Sequence, residues 1–165
     1  MKQHLVLAVT VFVTAAVTPA VAQDTTPQPL GIPEFVNRGL MSRVSAFAEV
    51  CGNQVPTTKE TWEHAVADVS ARIDVITREL MATAPFTELA HEVIPAEGAP
   101  DLLKAVADSK QELLAQLKKQ EPEKNCPQYL ANIQHYSDEF LRAGVTQSLA
   151  GIQTLLVGLK QGYYK

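Results

Sequence analysis

The sequence predicts an all-α fold, an up-down-up-down four-helix bundle with a long or kinked C-terminal helix and one disulfide. Three observations predict it. Apolar residues recur three and four positions apart in four segments, the signature of amphipathic helices. No segment alternates apolar and polar residues long enough to make a strand. The two cysteines, Cys51 and Cys126, fall at helix ends that such a topology brings together.

Residues Met1 to Ala22 read as an export signal. Lys2 supplies the positive start, Leu5 to Val21 carries no charge, and Ala20-Val21-Ala22 is a small-x-small cleavage site. Residues 23–33 contain three prolines among polar spacers and are expected to form a flexible, extended leader. The helical domain is expected to occupy residues 34–165.

Helix one is expected from Glu34 to Cys51, with Val36, Leu40, Val44, Phe47 and Cys51 on one face and Gly52-Asn53 as the stop. Helix two should open with a capping box, Thr57 and Glu60. Its seam is Trp62, Val66, Val69, Ile73, Ile76 and Leu80, and it should end near Thr83, before Pro85. A short helical turn is expected within residues 86–93, followed by a loop from Ile94 to Pro100. Helix three begins at Pro100 or Asp101, with Leu102, Leu103, Val106, Leu113, Leu114 and Leu117 apolar. Helix four begins at Asn125 or Cys126, with Leu130, Ile133, Phe140 and Leu141 marking its first half. Its apolar stripe continues through Val145, Leu149, Ile152, Leu156, Leu159 and Tyr163. Unbroken, it would outrun helix two by roughly 20 Å, so it should kink near Gly144 or project beyond the bundle.

The formal net charge is −4. Loss of Lys2 with the signal makes it one unit more negative. That balance disfavours nucleic acid or an anionic membrane as a partner. After the signal no apolar run is long enough for a transmembrane span. In an oxidising compartment the two cysteines are most simply one bridge.

Motifs for catalysis are missing from the sequence. Glu88 and His91 have the spacing used in di-iron bundles, but Asn132 stands where His135 would need a glutamate. His91-Glu92 lacks the second histidine of a zinc protease. No serine sits in a nucleophile elbow, and no haem attachment motif occurs. The expectation is therefore no catalytic residue, no metal ligand and no cofactor.

The C-terminal segment Ala143 to Lys165 contains no acid, and Gly144, Gly151 and Gly158 recur every seventh residue. Seven residues return a helix nearly to the same angle. Leu149, Gly151, Ile152, Leu156, Gly158, Leu159 and Tyr163 are therefore the expected interaction face, for a protein partner or self-association. The expected role is an exported, non-catalytic interaction or binding module, periplasmic or secreted. The alternatives are a carrier of a small apolar ligand and a cryptic metal-binding protein or enzyme.

The exported protein should begin at Gln23. Amino-terminal sequencing of the envelope or secreted form checks this, and an intact Met1 on that form would refute it.

Overall fold

The computed structural model describes residues 28–161, apart from the side chains of residues 122 and 123. The expected export signal, the first part of the leader and Tyr163 lie outside the described residues. The described chain is almost entirely helical, and Cys51 and Cys126 form a disulfide with Cα atoms 5.6 Å apart. No helix among the described residues is long and apolar enough to cross a membrane.

The chain enters as strand β1 (Leu30–Gly31), which pairs antiparallel with β2 (Val93–Ile94), Leu30 opposite Ile94. Pro29 and Pro95 flank this pair at one end, and a proline cannot donate to a ladder. At the other end helix α1 begins at once. Leu30 to Pro33, expected within the flexible leader, therefore belong to β1 and α1. Leu30 is buried against Ile94 and Ala99, and Ile32 is wholly buried in the main core. Two apolar residues among the prolines carried that signal.

Helix α1 spans Ile32–Gln54. It does not stop at Gly52, which is buried and still helical. The stop comes at Val55, whose N–H donates to the Cys51 carbonyl at 2.8 Å and which precedes Pro56. A 3-10 turn (Pro56–Thr58) leads into α2 (Lys59–Met81). The expected capping box does not form. Thr57 lies inside the 3-10 turn, Thr58 occupies the cap position, and its hydroxyl donates backwards to the Val55 carbonyl at 2.8 Å.

A 3-10 turn at Thr87–His91 supplies the short helical turn expected there. Helix α3 spans Ala99–Leu117, with Pro100 in its first turn. The expected single fourth helix is two. Helix α4 is Pro122–Gln134, with Pro127 inside it, and α5 is Asp138–Lys160. The break falls at residues 135–137, not at Gly144, which stays helical. Ser137 caps α5, its hydroxyl accepting from the Phe140 N–H at 3.1 Å, with Asp138 and Glu139 in the first turn. Arg72 of α2 secures the break. Its guanidinium donates to the Tyr136 carbonyl and the Asp138 carboxylate, both at 2.6 Å. Phe140, expected on the apolar face, is 58 % exposed and rests on Tyr136.

Contacts fix how the helices run. Asn37 meets Ser70 and Asp74 while Gly52 meets Lys59, so α1 and α2 are antiparallel. Arg72 meets Asp138 and Glu79 meets Arg142, so α5 runs with α2. Helix α4 returns along α1 through Cys51–Cys126 and Phe47–Tyr129.

Helix α1 has two buried faces. Val36, Val44 and Cys51 join Trp62, Val69, Ile73, Ile133, Val145 and Leu149 in the main core. Ala46, two residues and roughly 200° around the helix from Val44, belongs instead to a separate cluster with Val50, Leu114 and Leu117. Helix α3 therefore packs on the back of α1. It makes no comparable contact with α2, α4 or α5. Its other anchor is a third cluster, Leu30, Ile94 and Ala99, at its N-terminus.

Helix α3 buries two leucines fully, Leu114 and Leu117, stabilising it by roughly 3–6 kcal/mol. Helix α5 buries five large apolar residues in the main core. Hydrogen exchange should therefore show residues 102–112 opening locally, with amides at least about tenfold less protected than the centre of α2. Equal protection in α2 and α3 would show that α3 belongs to the same cooperative unit.

Candidate binding site

Because α2 lies on one side of α1 and α3 on its back, α1 carries open hollows between them, two against α2 and one against α3, together called the trough. Its floor is one strip of α1: Asn37, Met41, Ser45, Ala48 and Gly52. These recur at intervals of four, four, three and four, so they share a face. Three neighbouring hollows lie along it, sharing lining residues.

The first, about 460 Å3, is polar. Asn37 organises it, its amide donating to the Ser70 hydroxyl at 3.1 Å and the Asp74 carboxylate at 2.6 Å. Arg38 and Arg78 border it, and Arg38 is bonded to Glu34 at 2.5 Å. The second, about 340 Å3, shares Asn37 and Arg38 with the first. Met41, Leu103, Val106 and Ala107 make it apolar, and Lys110 lines its far end. Lys110 leans on Glu49 at 3.0 Å. The third, about 240 Å3, shares Ser45 with the second and is bounded by Trp62 and Val66 together with Asn53, Lys59 and Glu63.

Ser42 and Ser45 direct their hydroxyls into α1 itself, donating to the carbonyls of Gly39 and Ser42. Both hydroxyl protons thus go to the helix backbone, although the side chains are polar. Trp62 is buried, and its indole N–H has no acceptor among the described residues.

The expected interaction face is largely internal. Leu149, Ile152 and Leu156 are core residues, 0 to 5 % exposed, packed with Val69, Ile73 and Ile76. Gly158 is buried, and Leu159 is half-buried against the same core. The glycines do not form one open strip. A Cβ at Gly144 would sit 3.6 Å from the Leu40 side chain, whereas Gly151 faces open space. The stripe is filled because the break at residues 135–137 places α5 beside α2 instead of letting it run past. What remains is a shallow apolar hollow of about 280 Å3, where Gly39 and Gly151 lie between Phe35 and Leu155.

Among the described residues three histidines occur, all exposed and far apart in the sequence. His64 lies 3.8 Å from Glu60, His135 contacts the Ala131 carbonyl at 2.6 Å, and His91 sits in the 3-10 turn. Asp138, beside His135 in sequence, serves Arg72 instead. That carboxylate raises the Arg72 pKa above its ordinary value by hydrogen bonding, with burial acting against it. A raised arginine pKa is a stabilisation lost only at pH above the ordinary arginine range, so this guanidinium adds no pH dependence near neutrality.

Sequence reading missed the trough. Val66 and Trp62 were visible as seam residues, and Leu103 and Val106 as an apolar side. Nothing in their periodicity shows that α2 and α3 would stand apart. The chain matches no family model, no curated protein and no solved structure.

Trp62→Ala should lower stability by about 3–5 kcal/mol, the usual cost of an emptied aromatic site. Trp62→Phe should cost less than half of that, because it keeps an aromatic ring in the site and leaves a smaller cavity. Urea unfolding followed by circular dichroism measures both. Equal losses would mean that the filled volume does not set the cost.

Proposed function

We propose that this protein is an exported, non-catalytic binding module that holds a ligand in the trough along α1. One observation carries the proposal: α2 and α3 both flank α1 without closing on each other, leaving an apolar hollow against α3 beside one lined by polar and charged side chains against α2. The export signal read at residues 1–22 and the disulfide agree with an oxidising compartment. The sequence offers no motif for bond-making chemistry. Of the roles read from the sequence, this favours the small-ligand carrier over docking by the C-terminal helix, whose apolar stripe the fold already uses.

The Gly39 and Gly151 hollow supports a second reading, self-association. No ionisable residue lines it, so two copies of an acidic chain could meet there without burying like charges.

Native mass spectrometry of gently purified, exported protein tests the first reading. Wild-type protein should retain a small-molecule mass, and Ala107→Phe, which fills the middle hollow from an exposed helix position, should lose it while remaining folded. A wild-type spectrum of bare protein alone, or a mass retained equally by the variant, would overturn it. A dimer abolished by Gly151→Leu, with no bound small molecule, would favour self-association.

A further inference from the structure

Resting on the self-association reading rather than on the ligand reading, we infer that two copies of this chain pair antiparallel through the outer face of α5, with Phe140 of each copy seated at Gly151 of the other. The face is notable for its lack of charge. From Phe140 to Val157 the exposed residues of α5 are uncharged, except Arg142. Arg142 is engaged with Glu79 of α2, off this face. The solvent side of an amphipathic helix ordinarily carries charge. Here two large apolar residues stand out instead, Phe140 at 58 % and Val157 at 49 % exposure.

The face carries a knob and a gap in matching places. Phe140 is the knob, its ring backed by Tyr136. Gly151 is the gap: a Cβ there would meet nothing within 4 Å, and Phe35, Gly39 and Leu155 line the hollow beside it. Eleven residues separate Phe140 from Gly151, which is three turns plus roughly 20°, so the two stand on one line about 16 Å apart. A two-fold axis crossing that line between residues 145 and 146 brings Phe140 of each copy to Gly151 of the other. The same axis sets Tyr136, which backs the knob, level with Leu155, which edges the gap. An isologous contact needs a surface that is its own complement, and a knob and a gap at one register supply it. An unrelated partner would need neither to match the other.

Charge selects the antiparallel sense. The chain is acidic, and Glu139 is exposed in the first turn of α5. A parallel pair would set Glu139 beside its own copy and Phe140 against Phe140, with no gap to receive either ring. The antiparallel pair keeps the two Glu139 residues about 20 Å apart along the helices, more than two screening lengths at physiological salt. Near the axis the exposed residues are Ala143 and Gln147, neither of them charged.

Sedimentation of the full mature protein, from micromolar to millimolar concentration, should show a monomer–dimer equilibrium. Phe140→Ser and Gly151→Leu should each weaken it at least about tenfold. Neither should lower the thermal transition of the monomer, because neither position is packed in the core. Single cysteines read the register. Gln147→Cys would lie about 5 Å along the helix from its copy and should crosslink under mild oxidation, whereas Val157→Cys, about 35 Å from its copy, should not. A parallel pair would crosslink through both. A dimer that survives both interface variants, or that crosslinks through Val157→Cys, overturns this register and leaves self-association standing. A monomer at every concentration removes both. A monomer that binds a different envelope protein, and loses it in Phe140→Ser, gives the face to that protein and overturns the second copy.

Discussion

Helix α1 is buried on two opposite faces, and every other helix is placed by that fact. Its front carries Val36, Val44 and Cys51 into a core shared with α2, α4 and α5. Its back carries Ala46 and Val50 under α3. A helix clamped front and back keeps only its flanks for solvent. One flank is the trough strip, and the other holds Gly39 above α5. Small residues on the back, Ser42 and Ala46 among them, let α3 lie close without a large apolar layer. The closeness therefore comes cheaply in side-chain volume but also yields little burial.

The disulfide makes this arrangement durable at one end. It joins positions 75 residues apart, and the chain-entropy estimate for such a loop is roughly 4.5 kcal/mol, an upper guide. Helix α4 needs it. At 13 residues it is near the length below which an isolated helix is marginal in water. Beyond the bridge its hold is Ile133 in the core and the Tyr129 ring against Phe47. The bridge runs from α1 to α4 directly and passes α3 by. Opening of α3 thus leaves the main core and its crosslink intact, and the closed loop merely contains the loosened helix.

How much the sequence disclosed depended on what kind of signal each feature leaves. Periodicity named Trp62, Val69, Ile73 and Ile76 of the α2 core, which face one way, but not Ala65, Thr77 and Met81, and it included Val66 and Leu80, which are only partly buried. The disulfide was legible because two cysteines leave one pairing. The break between α4 and α5 was hidden, since the apolar stripe restarts in nearly the same phase after it. Ser137 followed by two acids was the signal, an ordinary helix start that the continuing leucines masked. The role of Arg72 was equally hidden: off the apolar stripe it reads as surface, and only the fold supplies Tyr136 and Asp138 as its acceptors. The buried fate of Leu149, Ile152 and Leu156 turned on that same break. Periodicity says that a face is apolar; it does not say whether the chain or a partner will cover it.

The trough and the weak hold on α3 are one property seen twice. Leu103, Val106 and Ala107 form a wall because α1 is the main helix partner of α3, and the same sparse packing is what should let the wall open locally. A ligand touching both Met41 and Val106 binds only while α3 is docked. Its binding free energy therefore adds to the free energy of docking, about 2.7 kcal/mol at a hundredfold excess over Kd. The coupling is reciprocal, so whatever loosens α3 weakens the site. Clusters at both ends of α3, one at Ala99 and one at Leu114 and Leu117, hold its register. Stronger packing of α3 would close the trough, and weaker packing would leave it without a wall.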